Sequence, residues 1–547
     1  MQVSKNIELN FSEEVPSNSR VVNPLGIWGH LNLQDDFVPG ITSVTNRIRY
    51  YTLQAWYYQN LFDDKVIPSK DFERVFILTC LAHHNGDSSH PDLHHIHNKH
   101  RFDDVWDDRE VFGLDFDIAG FGRTYYIAQL EVFRCAWTDK LDRTHYTKLN
   151  ERLADSLNVS VEAFEQEEYS KDYLRENLSE LCVCNENEQE IEILSKIFFG
   201  FFSKQDGEWD LDEEEFERFE EGDIELSFDE EYKSKEFGLE EATRQKNLRR
   251  RNTLFLFLKV ISETEPSDVK RTIWDALYYS QERGTGRELD FGGLERGRRY
   301  WEYFQLNLYY VYSIEILLDV LQNLVRNNNG IEREQLLSKI DDRELRQYLT
   351  DTLGEECGTI QDILSAIEDV NDGKRTDLDK PINESKLYSQ IKAADDWKQK
   401  AVLSLLLLFS LKFRYDQTPG DIKANSGNSP EEQVVQDSLN IELMFDLLEK
   451  SRGQDWVEFL QDLIQKIKRR HVFEASRRLK NSNTRSWLFT EEEGRLFFAR
   501  QKPINIRPRD NRWGSIELLL TDLNFIEEED GKISLTEKGE SWLQRIE

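Results

Sequence analysis

The sequence predicts a mainly α-helical protein, a multi-helical body ending in a winged-helix domain of mixed α and β structure. Three observations lead there. Apolar residues recur at the i, i+4, i+7 spacing of half-buried helices through most of the chain. Strand-like alternation is scarce before the C-terminus. The last forty or so residues read as helix, hairpin, helix.

Taken in order, the first strong element follows the Pro39-Gly40 turn, with Thr42 or Ser43 as N-cap. Val44, Ile48, Tyr51, Ala55, Tyr58 and Phe62 share one face, which assigns Tyr51 and Tyr58 to the core. Arg47, Tyr50 and Tyr57 fall on an adjoining face that is a candidate ligand surface. Helices are expected at 186–203, 245–262, 397–413, 433–450 and 455–480. A second aromatic helix, "RRYWEYFQLNLYYVYSIEILLDVLQNLV", buries Phe304, Leu308, Val311, Leu318, Leu321 and Val325 and stops at "NNNG". The run "AVLSLLLLFSL" is far short of the roughly 20 residues of a membrane span and reads as a core helix. These elements and the composition shifts divide the chain into 1–150, 151–244, 245–415, a linker at 416–432, and 433–547.

The last segment carries the most specific fold signal. Ser515 to Leu523 forms a helix with Ile516, Leu519, Leu520 and Leu523 inside, "FIEE" and "KISL" pair across Asp530-Gly531, and Thr536 caps a final helix. A DNA-binding winged helix lays a helix in the major groove and basic residues on phosphates. Here "SIELLLTDL" holds Glu517 and Asp522 and no base, so phosphate contacts fall to Arg507, Arg509, Arg512 and Lys538.

Charge sharpens this. At −35 the chain repels nucleic acid at long range unless its positive charge is concentrated. Between Leu463 and Ser515 it is: 14 Lys or Arg stand against five acids, with Arg469 and Arg470 in the middle. "QERGTGRELDFGGLERGRRYW" adds Arg296, Arg298 and Arg299 among five glycines, a candidate phosphate surface that lacks the GK[ST] ending of a P-loop. Double-stranded DNA is the partner these cations suggest. By contrast, Asp206 to Glu231 carries −14 and reads as a solvated, partly disordered linker, or as a segment docking on basic surface through Trp209, Phe216, Phe219 and Phe228.

Seven of the ten histidines lie in "HHNGDSSHPDLHHIHNKH". His90, His94 and His97 are the candidate ligands for a divalent metal such as zinc, with Asp87 and Asp92 near; an exposed histidine-rich loop is the alternative. The five cysteines are scattered and odd in number, which argues against a disulfide framework and for a reducing cytoplasm. The first residues contain no apolar stretch of a secretion signal. No G-x-S-x-G elbow or kinase set is present, and no constellation amounts to an active site.

Pro39, Gly40, Ile41, Thr42, Thr45, Arg47, Arg49, Tyr50 and Tyr51 form a "PG-[IL]-T…T-x-R-x-RYY" pattern that resembles uncharacterised prokaryotic proteins of antiphage defence islands, encoded beside helicases and nucleases. The pattern covers about a tenth of the chain, and the family supplies no catalytic residues. The resemblance implies a non-catalytic DNA-engaging or scaffolding subunit of a defence complex, with a helicase or nuclease as protein partner and no membrane. A metal-dependent nuclease or hydrolase using the histidines, and a winged-helix transcriptional regulator, are the alternatives.

Overall fold

The computed structural model describes residues 23–27, 37–41, 47–62, 67–93, 96, 99, 102, 106–114, 128–138, 144–224, 226, 238–328, 330–340, 343–424, 439–482, 486–500, 503–504, 506 and 512–546. Helices dominate, and the sheets are small, of two or three strands. The chain forms two compact units. One comprises 34–274, 289–298 and 510–547; the other comprises 1–33, 275–288 and 299–509. The expected 433–547 domain is therefore divided near residue 510.

In the 34–274 unit the helices Arg49–Tyr57, Ser69–His83, Glu188–Phe198 and Leu239–Thr264 form the frame. Its centre is a pair of fully buried arginines in "LRRRN". Arg250 donates to the carbonyls of Phe198 (2.6 Å), Ile197 (3.0 Å) and Pro39 (3.1 Å). Arg251 donates to Phe199 (2.8 Å) and Gly200 (3.1 Å) and pairs with Glu215 at 2.8 Å. A helix C-terminus leaves carbonyls unsatisfied and carries partial negative charge. Two guanidiniums satisfy both at the end of Glu188–Phe198. Burial, reinforced by the neighbouring Arg251 charge, lowers Arg250 to about 9, and it stays a cation at neutral pH.

The Pro-Gly and RYY motifs belong to the same knot. Pro39 accepts from Arg250, and Tyr51 donates from its hydroxyl to the Gly40 carbonyl at 3.0 Å. Gly40 has φ +87°, and a Cβ there would overlap the Phe133 ring. Tyr50 packs edge-on against Phe76, and Tyr57 lies against Phe72 while donating to Ile67 O at 3.1 Å. At 1% and 2% exposure, these two tyrosines are core, not the ligand face suggested by their spacing. The 9-residue helix is buried on every side, so periodicity could not separate an inner face from an outer one.

The acidic stretch is also folded where it is described, contrary to its reading as a solvated linker. Phe202–Gln205 and Glu208–Leu211 pair across Asp206-Gly207, and the helix Glu213–Glu220 follows, capped by Asp212. Trp209 and Phe219 are buried; Phe228 lies outside the described residues. A two-residue type I′ hairpin turn needs positive φ at both positions, which Asp206 (+50°) and Gly207 (+91°) supply. The same device recurs at Glu493-Gly494 and Asp530-Gly531.

The C-terminal order is as expected: helix Trp513–Asp522, strands Ile526–Glu529 and Lys532–Leu535, helix Glu537–Gln544 with Thr536 as its cap. These elements do not stand apart. Phe525 and Trp542 share an aromatic cluster with Phe199, and Trp542 also meets Phe216 and Phe219. The hairpin itself is held by Ile533 N–H to Pro266 O at 3.0 Å.

The other unit is helical around Trp397–Gln417, whose apolar run is buried, and around the part of Glu295–Asn327 that follows Arg299. Tyr310 donates to Leu439 O at 2.7 Å and Ser313 to Ser404 O at 2.7 Å. Residues 292–327 are long and apolar enough for a membrane span, yet their apolar 18-residue stretch is 89% buried in the fold. Of the 416–432 linker, Gly420–Ala424 forms a short helix and 425–432 lie outside the described residues. In the helix Trp456–Ser482, His471 is fully buried, facing Pro24 O through Nδ1 at 3.0 Å and accepting Leu488 N–H at Nε2 at 3.0 Å.

Two stability outcomes are expected. Arg250→Ala strands the Phe198 and Pro39 carbonyls and should cost about 3 kcal/mol, at roughly 1–3 kcal/mol per stranded acceptor, in urea unfolding. Arg250→Lys should recover only part, because one ammonium cannot span the same carbonyls. For His471, burial lowers the folded pKa to about 4, from an ordinary 6.5. Between those values the unfolded chain binds the extra proton, so stability present above pH 6.5 is lost as pH falls toward 4. The slope should approach about 1.4 kcal/mol per pH unit for this group, and a His471→Gln chain should show a flatter pH profile over the same window.

Candidate metal centre

The strongest cluster of reactive side chains lies in the 34–274 unit, where two short sequences meet: "CLAHH" at 80–84 and "CVC" at 182–184. Cys80 and His83 share a face of Ser69–His83 at i, i+3, and His84 is its C-cap. The helix ends in a Schellman arrangement. Asn85 is left-handed (φ +53°), Asn85 N–H bonds Ala82 O at 3.3 Å, and Gly86 N–H bonds Leu81 O at 2.7 Å. Gly86 has no room for a Cβ beside Trp106.

The second sequence follows the 3-10 turn Ser179–Leu181. Asn185 N–H closes a turn onto Cys182 O at 3.0 Å, and Asn185 Nδ2 donates to Ser179 O at 2.9 Å. Arg175 ties the preceding helix to Ala82 O at 2.8 Å, and Arg49 donates to Glu180 O and to buried Glu190. The loop is thus fixed on both sides before any metal is considered.

The donors converge. Cys182 Sγ and Cys184 Sγ are 3.3 Å apart, and His84 Nε2 is 3.5 Å from the first and 3.4 Å from the second. Ligand atoms of His83, Cys182 and Cys184 lie within 4.8 Å of one another. Zinc with bonds of about 2.3 Å to sulfur and 2.0–2.1 Å to nitrogen sets tetrahedral edges of roughly 3.3–3.8 Å. The sulfur–nitrogen distances fit, and the two sulfurs must part by a few tenths of an ångström. Two thiolates with the His83 or His84 imidazole make a sulfur-rich donor set that suits zinc, with the Cys80 thiol beside Cys182 as a further donor. A hydrogen bond from Cys184 lowers the Cys182 thiol, but contact with Cys80 and burial together raise it above the ordinary range. A divalent cation reverses that balance by stabilising thiolates.

Sequence reasoning placed the metal on His90, His94 and His97. His94 and His97 lie outside the described residues. The His90 ring leans on the His84 ring at 4.2 Å. The signal missed was C-x2-H-H and C-x-C, short spacings hidden by their hundred-residue separation.

Next to this loop, Arg47 pairs with Asp522 at 3.1 Å and Arg49 with Glu190, both pairs buried. Burial, with Asp522 adding repulsion, raises the Glu186 carboxyl; burial raises Asp522 too, against the opposing pull of Arg47. Arg47 is therefore committed to an internal pair.

Among the described residues, several of the cations assigned to DNA are engaged within their own unit. Lys538 donates to Ser195 Oγ (2.8 Å) and Leu523 O (2.9 Å) over the Phe525 ring, and burial brings it down to about 8. Arg512 donates to Ile41 O at 3.0 Å. Arg470 is buried on the Leu25 and Gly26 carbonyls, and Arg298 is buried against Glu295 at 2.7 Å. Arg299 pairs with Glu302 at the surface, Arg296 is half-buried and Arg469 is exposed. Arg507 and Arg509 lie outside the described residues. The glycine-rich stretch has structural uses as well: a Cβ at Gly297 would overlap the Asn252 side chain.

No protein-family model matches the chain, and no curated protein or solved structure is similar to it. The geometry stands alone. Protein purified under reducing conditions should carry a single zinc ion by elemental analysis. Cys182→Ser with Cys184→Ser should remove it and lower the melting temperature, whereas Cys357→Ser, at a buried thiol of the other unit, should retain it.

Proposed function

We propose that this chain is a non-catalytic scaffolding subunit of a prokaryotic antiphage defence complex, its larger unit stapled by a zinc ion. The observation that carries the reading is the donor set of Cys182, Cys184, His83 and His84, with Cys80 beside it. Three thiols with imidazole beside them match the Cys3His and Cys2His2 sets of structural zinc. The defence setting rests on the PGIT and RYY pattern. A cytoplasmic location suits five thiols without a disulfide.

The terminal helix, hairpin and helix are read as a winged-helix variant used for protein contact, with a helicase or nuclease as the partner. Its hairpin is acidic and bonded to Pro266, and its Lys538 is held inside. DNA engagement is left to exposed charges such as Arg469 and to Arg507 and Arg509. Binding should therefore be weak, salt-sensitive and indifferent to sequence.

The test is an assay of the zinc-loaded full chain on duplex and single-stranded DNA and RNA, alone and with its genomic neighbours. The expected result is no cleavage by the chain alone and a stoichiometric complex with a neighbour. Cleavage by the chain alone, abolished by Cys184→Ser with the circular dichroism spectrum unchanged, would make the metal catalytic and overturn the scaffolding reading.

A further inference from the structure

The same centre has an oxidisable edge. Cys80, Cys135, Cys182 and Cys357 are buried, and Cys184 is exposed. Its sulfur already touches Cys182 Sγ at 3.3 Å, against a disulfide bond of about 2.05 Å. Residues 182–184 lie in a turn outside helix and strand, so closing that gap breaks no ladder of backbone bonds. His84 Nε2, at 3.4 Å from Cys184 Sγ, holds the sulfur beside an imidazole.

Resting on the zinc reading above, we propose that Cys182 and Cys184 form a hydroperoxide-sensitive release for the metal. The Cys184 thiolate attacks the peroxide: a sulfur–oxygen bond forms, the oxygen–oxygen bond breaks, and hydroxide departs, leaving a sulfenic acid. The Cys182 thiolate then attacks the Cys184 sulfur, forming the disulfide and expelling a second hydroxide. Two thiolates have given two electrons to one peroxide. The cation has lost both ligands of the CVC loop, and the imidazole and Cys80 that remain are too few to hold it, so it leaves. Because the 179–187 loop also carries the Glu180 carbonyl bound by Arg49, release loosens the contact between the Cys loop and the RYY helix. A scaffold that holds its partner through this unit would then respond to oxidative stress. Thiol reductant and zinc reverse the change.

The experiment uses the full chain purified with its metal, exchanged into reductant-free buffer and treated with hydrogen peroxide. A chromogenic chelator follows zinc, and peptide mapping without reduction follows the cysteines. The expected result is release in step with a Cys182–Cys184 disulfide, reversed by dithiothreitol and zinc. Cys357→Ser should behave as wild type, because its thiol is elsewhere. Metal retained at peroxide levels that oxidise a free thiol control, or a disulfide mapped to Cys80 instead of Cys184, overturns the proposal and leaves the structural zinc intact. Protein that carries no metal even under reducing conditions overturns the zinc reading itself, and the release mechanism with it.

Discussion

A helix that ends inside a protein exposes carbonyls to a place without water, and the Glu188–Phe198 helix does so in the middle of its unit. Arg250 and Arg251 resolve this with five main-chain contacts, reaching from Pro39 to Gly200. An arginine can serve several carbonyls while keeping its charge, which lysine cannot. Once these two are in position, the Pro39-Gly40 turn, the Leu239–Thr264 helix and the acidic helix with Glu215 have little freedom left. The opposite end of the same helix carries Glu190, where Arg49 of the RYY motif is anchored. One helix thus organises both ends of the unit through buried arginine.

The proposed zinc staple adds to that frame instead of creating it. Its donors come from segments roughly a hundred residues apart, a loop whose closure costs entropy in the absence of a bond. Arg175 and Arg49 already hold the two segments close, so metal binding begins from an almost assembled site. This also separates the centre from independent zinc modules, which are unfolded without metal.

The charge of −35 acquires a structural meaning here. A large share of the named basic residues is spent inside, on carbonyls and on buried carboxylates. Even the acidic stretch folds where it is described, because Trp209 and Phe219 enter the core while most of the carboxylates beside them face water. Local charge alone says little about disorder when aromatics are spaced to reach a core.

From the sequence alone came the helical class, the central parts of the long helices, and the terminal helix, hairpin and helix with its Asp530-Gly531 turn and Thr536 cap. These are local matters, governed by periodicity, capping and turn chemistry over a few residues. The tertiary structure alone decided that Tyr50 and Tyr57 are core, because a short helix buried all round has no polar face to betray it. It likewise turned Arg47, Arg470 and Lys538 inward, since an arginine reads the same in sequence whether it meets phosphate or carbonyl. The metal donors were the hardest to see. Cys80, His83 and His84 gain meaning only when the chain returns Cys182 and Cys184 to them, and coordination depends on distance in space, which residue spacing does not record.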